Sequence, residues 1–251
     1  MSVQGKHAII SGGGSGVGAE IAKQFAQAGA KVSILGRTQA TLDEVASQTN
    51  AFAAQCDVTD RASVDAAIAQ CIARHGPVQI AIANAGAAPS MPFSRMSADD
   101  FDSILNVNLM GVFHLWQACL GQMKDTGWGR MIAVSSTAGL KGYPYVSGYA
   151  AAKHGVNGLT KSLALELATS GITVNAICPG FVETPLLERS IQNIIGKTGM
   201  TRDEAAKALA KTSPQNRFVQ THEVAGTALW LCSDAAQSVN GHALAISGGE
   251  I

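Results

Sequence analysis

The sequence predicts a doubly wound α/β fold, a seven-stranded parallel sheet with helices on both faces. Three observations carry this expectation. Short apolar runs alternate with longer stretches of helical period along the whole chain. Those runs are continuously apolar rather than alternating, as strands buried on both faces must be. The 251 residues are 47% hydrophobic, 14% charged and only 5% aromatic, with 27 glycines, which suits one aliphatic α/β core over residues 1–251. Right-handed crossovers in such a sheet gather the residues beyond the strand ends around a single crevice.

The elements follow in order. Ala8–Ile10 reads as a first strand, followed by glycines and a helix with Ile21, Ala22, Phe25 and Ala28 on one face. Gly29 ends that helix, and Lys31–Leu35 is the second strand. A helix over Thr38 to Gln48 leads to a third strand at Phe52–Cys56. Asp60 caps a helix that reaches about Arg74, where His75-Gly76-Pro77 breaks it. Gln79–Ala83 is strand four. Ser97 opens a helical region extending to about Lys124, with room for a bend, and Arg130–Val134 is strand five. A helix carrying Tyr149 runs to about Ser170, before strand six at Thr173–Cys178. Phe181 to Val219 has helical pieces and no strand; a final helix, His222 to Cys232, precedes a short strand at Ala243–Ile246.

Composition excludes several classes of function. Eighteen basic and eighteen acidic residues balance, and no basic tract suggests a nucleic-acid footprint. No stretch approaches the ~20 uninterrupted apolar residues of a membrane helix. Cys56, Cys71, Cys119, Cys178 and Cys232 are odd in number, scattered and without a C-x-x-C, which reads as free thiols in a reducing, cytoplasmic compartment. The six histidines show no metal-ligand spacing, so no metal is expected.

Two stretches carry chemistry. Ser11-Gly12-Gly13-Gly14-Ser15-Gly16-Val17-Gly18 links the first strand to the first helix. Glycines at that junction let backbone N–H groups approach a pyrophosphate at a helix N-terminus. Gly14, Gly16 and Ala19 fit the looser G-x-G-x-x-A pattern, and a P-loop is excluded because no Lys-Ser/Thr follows. Strand two ends in Gly36-Arg37, which offers a cation and no carboxylate, favouring NADP(H) with NAD(H) as the alternative. The second stretch is Ser147 to Gly155. There Tyr149 and Lys153 stand four residues apart on one helix face, a spacing equally open to ordinary surface neighbours. An ammonium close to a phenol favours the phenolate, which would make the pair a general acid/base.

Taken together, these motifs resemble the compact short-chain dehydrogenases/reductases over essentially the whole chain. The family's T-G-x-x-x-G-x-G appears from Ser11 and Gly12 to Gly16 and Gly18, and its N-N-A-G as Ala83-Asn84-Ala85-Gly86 without the first Asn. Y-x-x-x-K is Tyr149 to Lys153, the serine thirteen residues earlier is Ser136, and the asparagine is Asn108. P-G-x-x-x-T is Pro179-Gly180 to Thr184. The neighbours Ser135, Tyr143, Tyr145 and His154 lack the required spacing.

The resemblance implies a Rossmann fold and an NAD(P)-dependent oxidoreductase interconverting ketones and secondary alcohols. It implies Ser136, Tyr149, Lys153 and Asn108 as catalytic residues, with Tyr149 as proton donor or acceptor and Lys153 holding the ribose. Asn108 would anchor a water. Cofactor contacts are implied for Ser11, Gly12, Gly14, Ser15, Gly16, Val17, Gly18, Arg37, Asp57, Val58, Asn84, Ala85, Gly86, Pro179, Gly180, Val182 and Thr184, besides Tyr149 and Lys153. A homotetramer and a substrate lid over residues 183–215 are implied as well. Similarity to ketoreductases suggests a β-keto/β-hydroxy acyl thioester or a similar hydrophobic ketone; the alternatives are a small secondary, sugar or cyclic alcohol, or a non-catalytic cofactor-binding scaffold. Met91, Pro92, Phe93, Met96, Leu140, Tyr143, Tyr145, Phe181, Leu186, Leu187, Ile191, Ile194 and Ile195 are the expected substrate lining. Lys141, Arg189 and Lys197 could meet the phosphates of an acyl carrier.

Overall fold

A computed structural model describes residues 3–251. Seven parallel strands form one sheet in the order β3-β2-β1-β4-β5-β6-β7. They are β1 (His7–Ser11), β2 (Lys31–Gly36), β3 (Phe52–Gln55), β4 (Val78–Ala83), β5 (Gly129–Val134), β6 (Ile172–Pro179) and β7 (Ala243–Ile246). The strand order reverses beside β1: β2 and β3 lie to one side, β4 to β7 to the other. The ends of β1 and β4 therefore flank the switch point at which such sheets bind ligands.

Among the described residues there are nine α-helices: α1 (Gly16–Gln27), α2 (Gln39–Thr49), α3 (Arg61–His75), α4 (Ala98–Leu105), α5 (Gly111–Thr126), α6 (Ser147–Glu166), α7 (Pro185–Thr198), α8 (Arg202–Ala210) and α9 (Thr221–Leu231). One core, with Ile10, Ile34, Ile82 and Ile132, packs beneath α1, α2 and α9; the other, with Ile9, Leu35, Trp116 and Val174, packs beneath α3, α5 and α6. Alternate residues of each strand enter opposite cores, which accounts for the unbroken apolar runs. Asp60 caps α3 by accepting from the N–H of Ala62 at 2.9 Å.

The elements lie where the pattern places them, with boundaries shifted by a residue or two except at two points. The helix of Tyr149 ends at Glu166 and not near Ser170, since Leu167 to Ser170 turn toward β6. The region from Ser97 is a single helical course interrupted by a π turn at Asn106–Met110, between α4 and α5. Such turns are rare and concentrate at functional sites, and this one carries Asn108.

The segment between β6 and α9 is clasped at its base. Val182 and Val219 form an isolated parallel bridge, and Glu183 N–H donates to Val219 O at 2.9 Å. Within it, Leu187, Ile191 and Ala205 are buried against one another, with Phe181, Ile194, Ile195 and Phe218 packed around them. These side chains form a small core of the segment's own. The expectation that Leu187 and Ile191 line a substrate pocket is thereby corrected: helical spacing alone does not distinguish a local core from a pocket wall.

Candidate active site

The turn after β1 is built for close backbone approach. Gly12 has φ +65° and Gly16 φ +53°, which glycine adopts without strain. A Cβ at Gly18 would fall 2.2 Å from Gly12 O and 2.5 Å from Asn84 Nδ2, so the first turn of α1 lies directly on the loop. Ser15 stands at the N-cap of α1 without a side-chain capping bond, and the first turn carries no acidic residue. Uncapped N–H groups, the helix dipole and a glycine surface together fit a dinucleotide pyrophosphate. Gly14, Ser15 and Val17 belong to this rim, and Thr184 lies against Gly16, with Cγ2 3.2 Å from where a Cβ would stand.

Ser11 and Asn84 hold that loop from below. Ser11 is 2% exposed, and its hydroxyl accepts from the N–H groups of Asn84 and Ala85, both at 3.1 Å. Asn84 Nδ2 donates to Ser11 O at 3.0 Å and Gly12 O at 3.2 Å. With the Asn84 amide N–H groups spent on main-chain carbonyls, the two side chains brace β1 against β4.

Around the adenosine end, Arg37 is exposed and its carbonyl is held by Gln55 Nε2 at 2.8 Å. Its guanidinium forms no ion pair among the described residues. Asp57 lies close enough to feel that charge, but its carboxyl is lowered first by the N–H and hydroxyl of Thr59, at 2.9 and 2.8 Å. Val58 turns its side chain into the core against Gly111 and gives its carbonyl to His114 Nδ1 at 2.9 Å.

Beyond β4, β5 and the π turn, four predicted residues converge. Lys153 is 3% exposed; its ammonium donates to Val134 O at 2.9 Å and lies 5.6 Å from the centre of the Tyr149 ring. The Ser136 hydroxyl lies near enough to the Tyr149 phenol to favour its ionised form. Ser135, by contrast, is buried and points at Lys153 O, so the thirteen-residue spacing selected the serine that faces the tyrosine. Asn108 is fully buried. Its Nδ2 donates to Ala87 O at 2.9 Å and Ile104 O at 3.0 Å, while its Oδ1 accepts from Ala87 N–H at 3.2 Å. Gly86 closes the group: a Cβ there would stand 2.8 Å from Asn108 Oδ1 and 3.8 Å from Lys153 Nζ.

Burial sets the electrostatics. It pushes the Tyr149 phenol up to about 12, partly opposed by the Ser136 hydroxyl. It also pulls Lys153 down to about 8. These directions are those of the cofactor-free protein. Desolvation of the phenolate prevails, and the ammonium is directed at a carbonyl rather than at the phenol. Tyr149 is thus held in its neutral, proton-donating form.

The loop before α6 carries two corrections. Tyr143 commits its hydroxyl to partners within the protein, 2.6 Å from Glu250 Oε1 and 2.7 Å from Thr137 Oγ1. Lys141 pairs with Glu250 at 2.9 Å, so it is not a free cation for an acyl carrier. Tyr145 adopts φ +66°, unfavourable for a non-glycine residue, while its carbonyl accepts from Met91 N–H at 2.8 Å. That bond ties the loop after β4 to the loop after β5. Tyr145, Phe93 and Leu186 stay exposed at the mouth.

One residue of the site escaped the sequence reading with a signal in plain view. Asn157 lies one turn beyond Lys153 on the same helix face, and its Nδ2 donates to Gly139 O at 2.8 Å. It holds the loop that bears Ser136.

Comparisons with known proteins follow this geometry. The family model described as short chain dehydrogenase matches residues 6–194. A D-beta-hydroxybutyrate dehydrogenase of Rhizobium meliloti is 36% identical, over 97% of this chain and 98% of its own. The 3-oxoacyl-(acyl-carrier-protein) reductase of Thermotoga maritima is 34% identical over 99% of both. Among solved structures, an actinorhodin polyketide ketoreductase variant with NADPH superposes with a TM-score of 0.95 at 32% identity, over 100% of this chain and 98% of that one. With the matched region running from β1 to the end of the catalytic helix and beyond, the chain belongs to the short chain dehydrogenase family.

Proposed function

We propose that this NAD(P)-dependent oxidoreductase, which interconverts a ketone and a secondary alcohol, uses NADPH to act on a short β-keto or β-hydroxy acyl group. The observation that carries the reading is the convergence of Ser136, Tyr149, Lys153 and Asn108 beside the glycine loop. NADPH bound along that loop supplies the hydride. Tyr149, neutral, donates the proton to the carbonyl oxygen, and Ser136 beside it orients that oxygen. Lys153 uses one of its three donors on Val134, leaving two for ribose hydroxyls and a proton path. Because the Asn108 amide is spent on Ala87 and Ile104, any water it anchors sits on its main-chain carbonyl.

The free guanidinium of Arg37, with no acidic residue at Gly36, supports a 2′-phosphate on the cofactor. The substrate class is supported by what the relatives' names share. A hydroxybutyrate dehydrogenase and a 3-oxoacyl reductase both act one carbon removed from a carboxyl or thioester carbon. A short acyl chain suits the crevice, since Leu187 and Ile191 are committed to the segment's own core. Residues 183–215, hinged at the Val182–Val219 bridge and held by Lys197 Nζ on Ser90 O at 3.5 Å, act as the lid.

Five buried, unpaired cysteines support a reducing cytoplasm. Phe113 on α5, Leu165 on α6 and Trp230 on α9 are exposed apolar side chains, which supports a homotetramer that covers them. Light scattering should give four times the 25.8 kDa chain mass; a monomer at assay concentration contradicts the assembly.

Two variants test the site. Gly18→Val should abolish NADPH binding, followed by cofactor fluorescence, because its Cβ would collide with Gly12 O; undiminished binding removes the loop from the cofactor site. The wild-type protein should oxidise NADPH with an acetoacetyl thioester, and Tyr149→Phe should bind NADPH normally while turnover falls by ~100-fold or more. Turnover confined to polyols would select the small-alcohol reading. Tight binding with no turnover on any ketone or alcohol would select the scaffold.

A further inference from the structure

Glu250 lies beyond β7, far in sequence from every residue of the crevice, yet its side chain is only 3% exposed. A carboxylate withdrawn from water needs partners. It finds two, both on the loop between β5 and α6: Lys141 Nζ at 2.9 Å and the Tyr143 hydroxyl at 2.6 Å. Lys141 also stands 4.9 Å over the Tyr143 ring. The phenol has one proton, and the carboxylate is the stronger acceptor. Its oxygen is then left to accept from Thr137 Oγ1, 2.7 Å away. Burial and the carboxylate both raise the Tyr143 phenol, in keeping with a proton it never releases.

Thr137 directly follows Ser136 and opens the short helical turn to Gly139. Its carbonyl accepts from the N–H groups of Leu140 and Lys141, at 2.9 and 3.0 Å. On the other side, Glu250 Oε2 lies 3.4 Å from where a Cβ on Gly180 would stand, so the same carboxylate rests on the turn after β6. One side chain thus joins the two segments that flank the crevice.

We infer that Glu250 is a positioning residue for the reaction: through Tyr143 and Thr137 it fixes the loop that aims Ser136 at Tyr149 and at the substrate oxygen. It touches neither substrate nor cofactor. This inference rests on the assignment of Ser136 and Tyr149 given above.

The test is a double-mutant cycle of Glu250→Ala and Tyr143→Phe, assayed with NADPH and an acetoacetyl thioester. Each single variant should raise KM for the thioester and lower kcat/KM about tenfold, while the Kd for NADPH stays unchanged; members of one network do not add. The double variant should therefore be no worse than the poorer single one, and Glu250→Gln, which still accepts from Tyr143, should recover part of the loss. Amide hydrogen exchange of residues 138–141 should quicken in Glu250→Ala, with that of α1 unaltered. Unchanged kinetics, or losses that multiply in the double variant, would overturn the inference. Should the wild-type protein reduce no carbonyl at all, the functional reading fails instead. Exchange then decides alone, and unaltered protection at 138–141 overturns the positioning role.

Discussion

The site depends on a buried ammonium. Lys153 sits 3% exposed beneath the crevice with one described protein acceptor, the carbonyl of Val134. Withdrawing a charge of that size from water costs several kcal/mol unless partners replace the solvent. The lysine's pKa falls to about 8 for that reason, and two of its donors remain available. A cation held so, with unspent hydrogen bonds aimed along the ends of β4 and β5, gains most from a ligand rich in hydroxyls.

The surrounding structure serves to keep that lysine, Tyr149 and Ser136 in register. Parallel strands deliver the loops after β1, β4, β5 and β6 to the same edge, but loops alone are loose. Asn84 and Ser11 lock the first to the second, Met91 and Tyr145 lock the second to the third, and Glu250 joins the third to the fourth. Asn108, on a π turn between α4 and α5, fastens Ala87 from beneath. These braces are buried polar groups with their partners satisfied, the condition under which polar networks rigidify a site instead of weakening it.

Much of this was legible in the sequence because it is local. Continuous apolar runs gave the strands, Asp60 gave a cap, and the intervals between Ser136, Tyr149 and Lys153 set Ser136 apart from Ser135, which is turned to Lys153 O. What was not legible is non-local or energetic. Glu250 and Tyr143 stand 107 residues apart, and no pattern announces their contact. Lys141 reads as a solvated cation until its partner is seen. Leu187 and Ile191 have the spacing of a pocket-facing helix, yet the apolar surface they meet belongs to α8. Spacing also placed the lysine beside the tyrosine without revealing how deeply Lys153 is buried.

The protonation of Tyr149 is the point at which the account is most exposed. With the Tyr149 ring carbon labelled by 13C, its chemical shift can be followed through a pH titration of the cofactor-free protein. The account predicts a phenol that remains protonated beyond pH 10, with Tyr149→Phe identifying the resonance. A titration of that resonance near neutral pH would contradict it, because Lys153 would then be stabilising a phenolate directly, in place of standing beside a neutral acid.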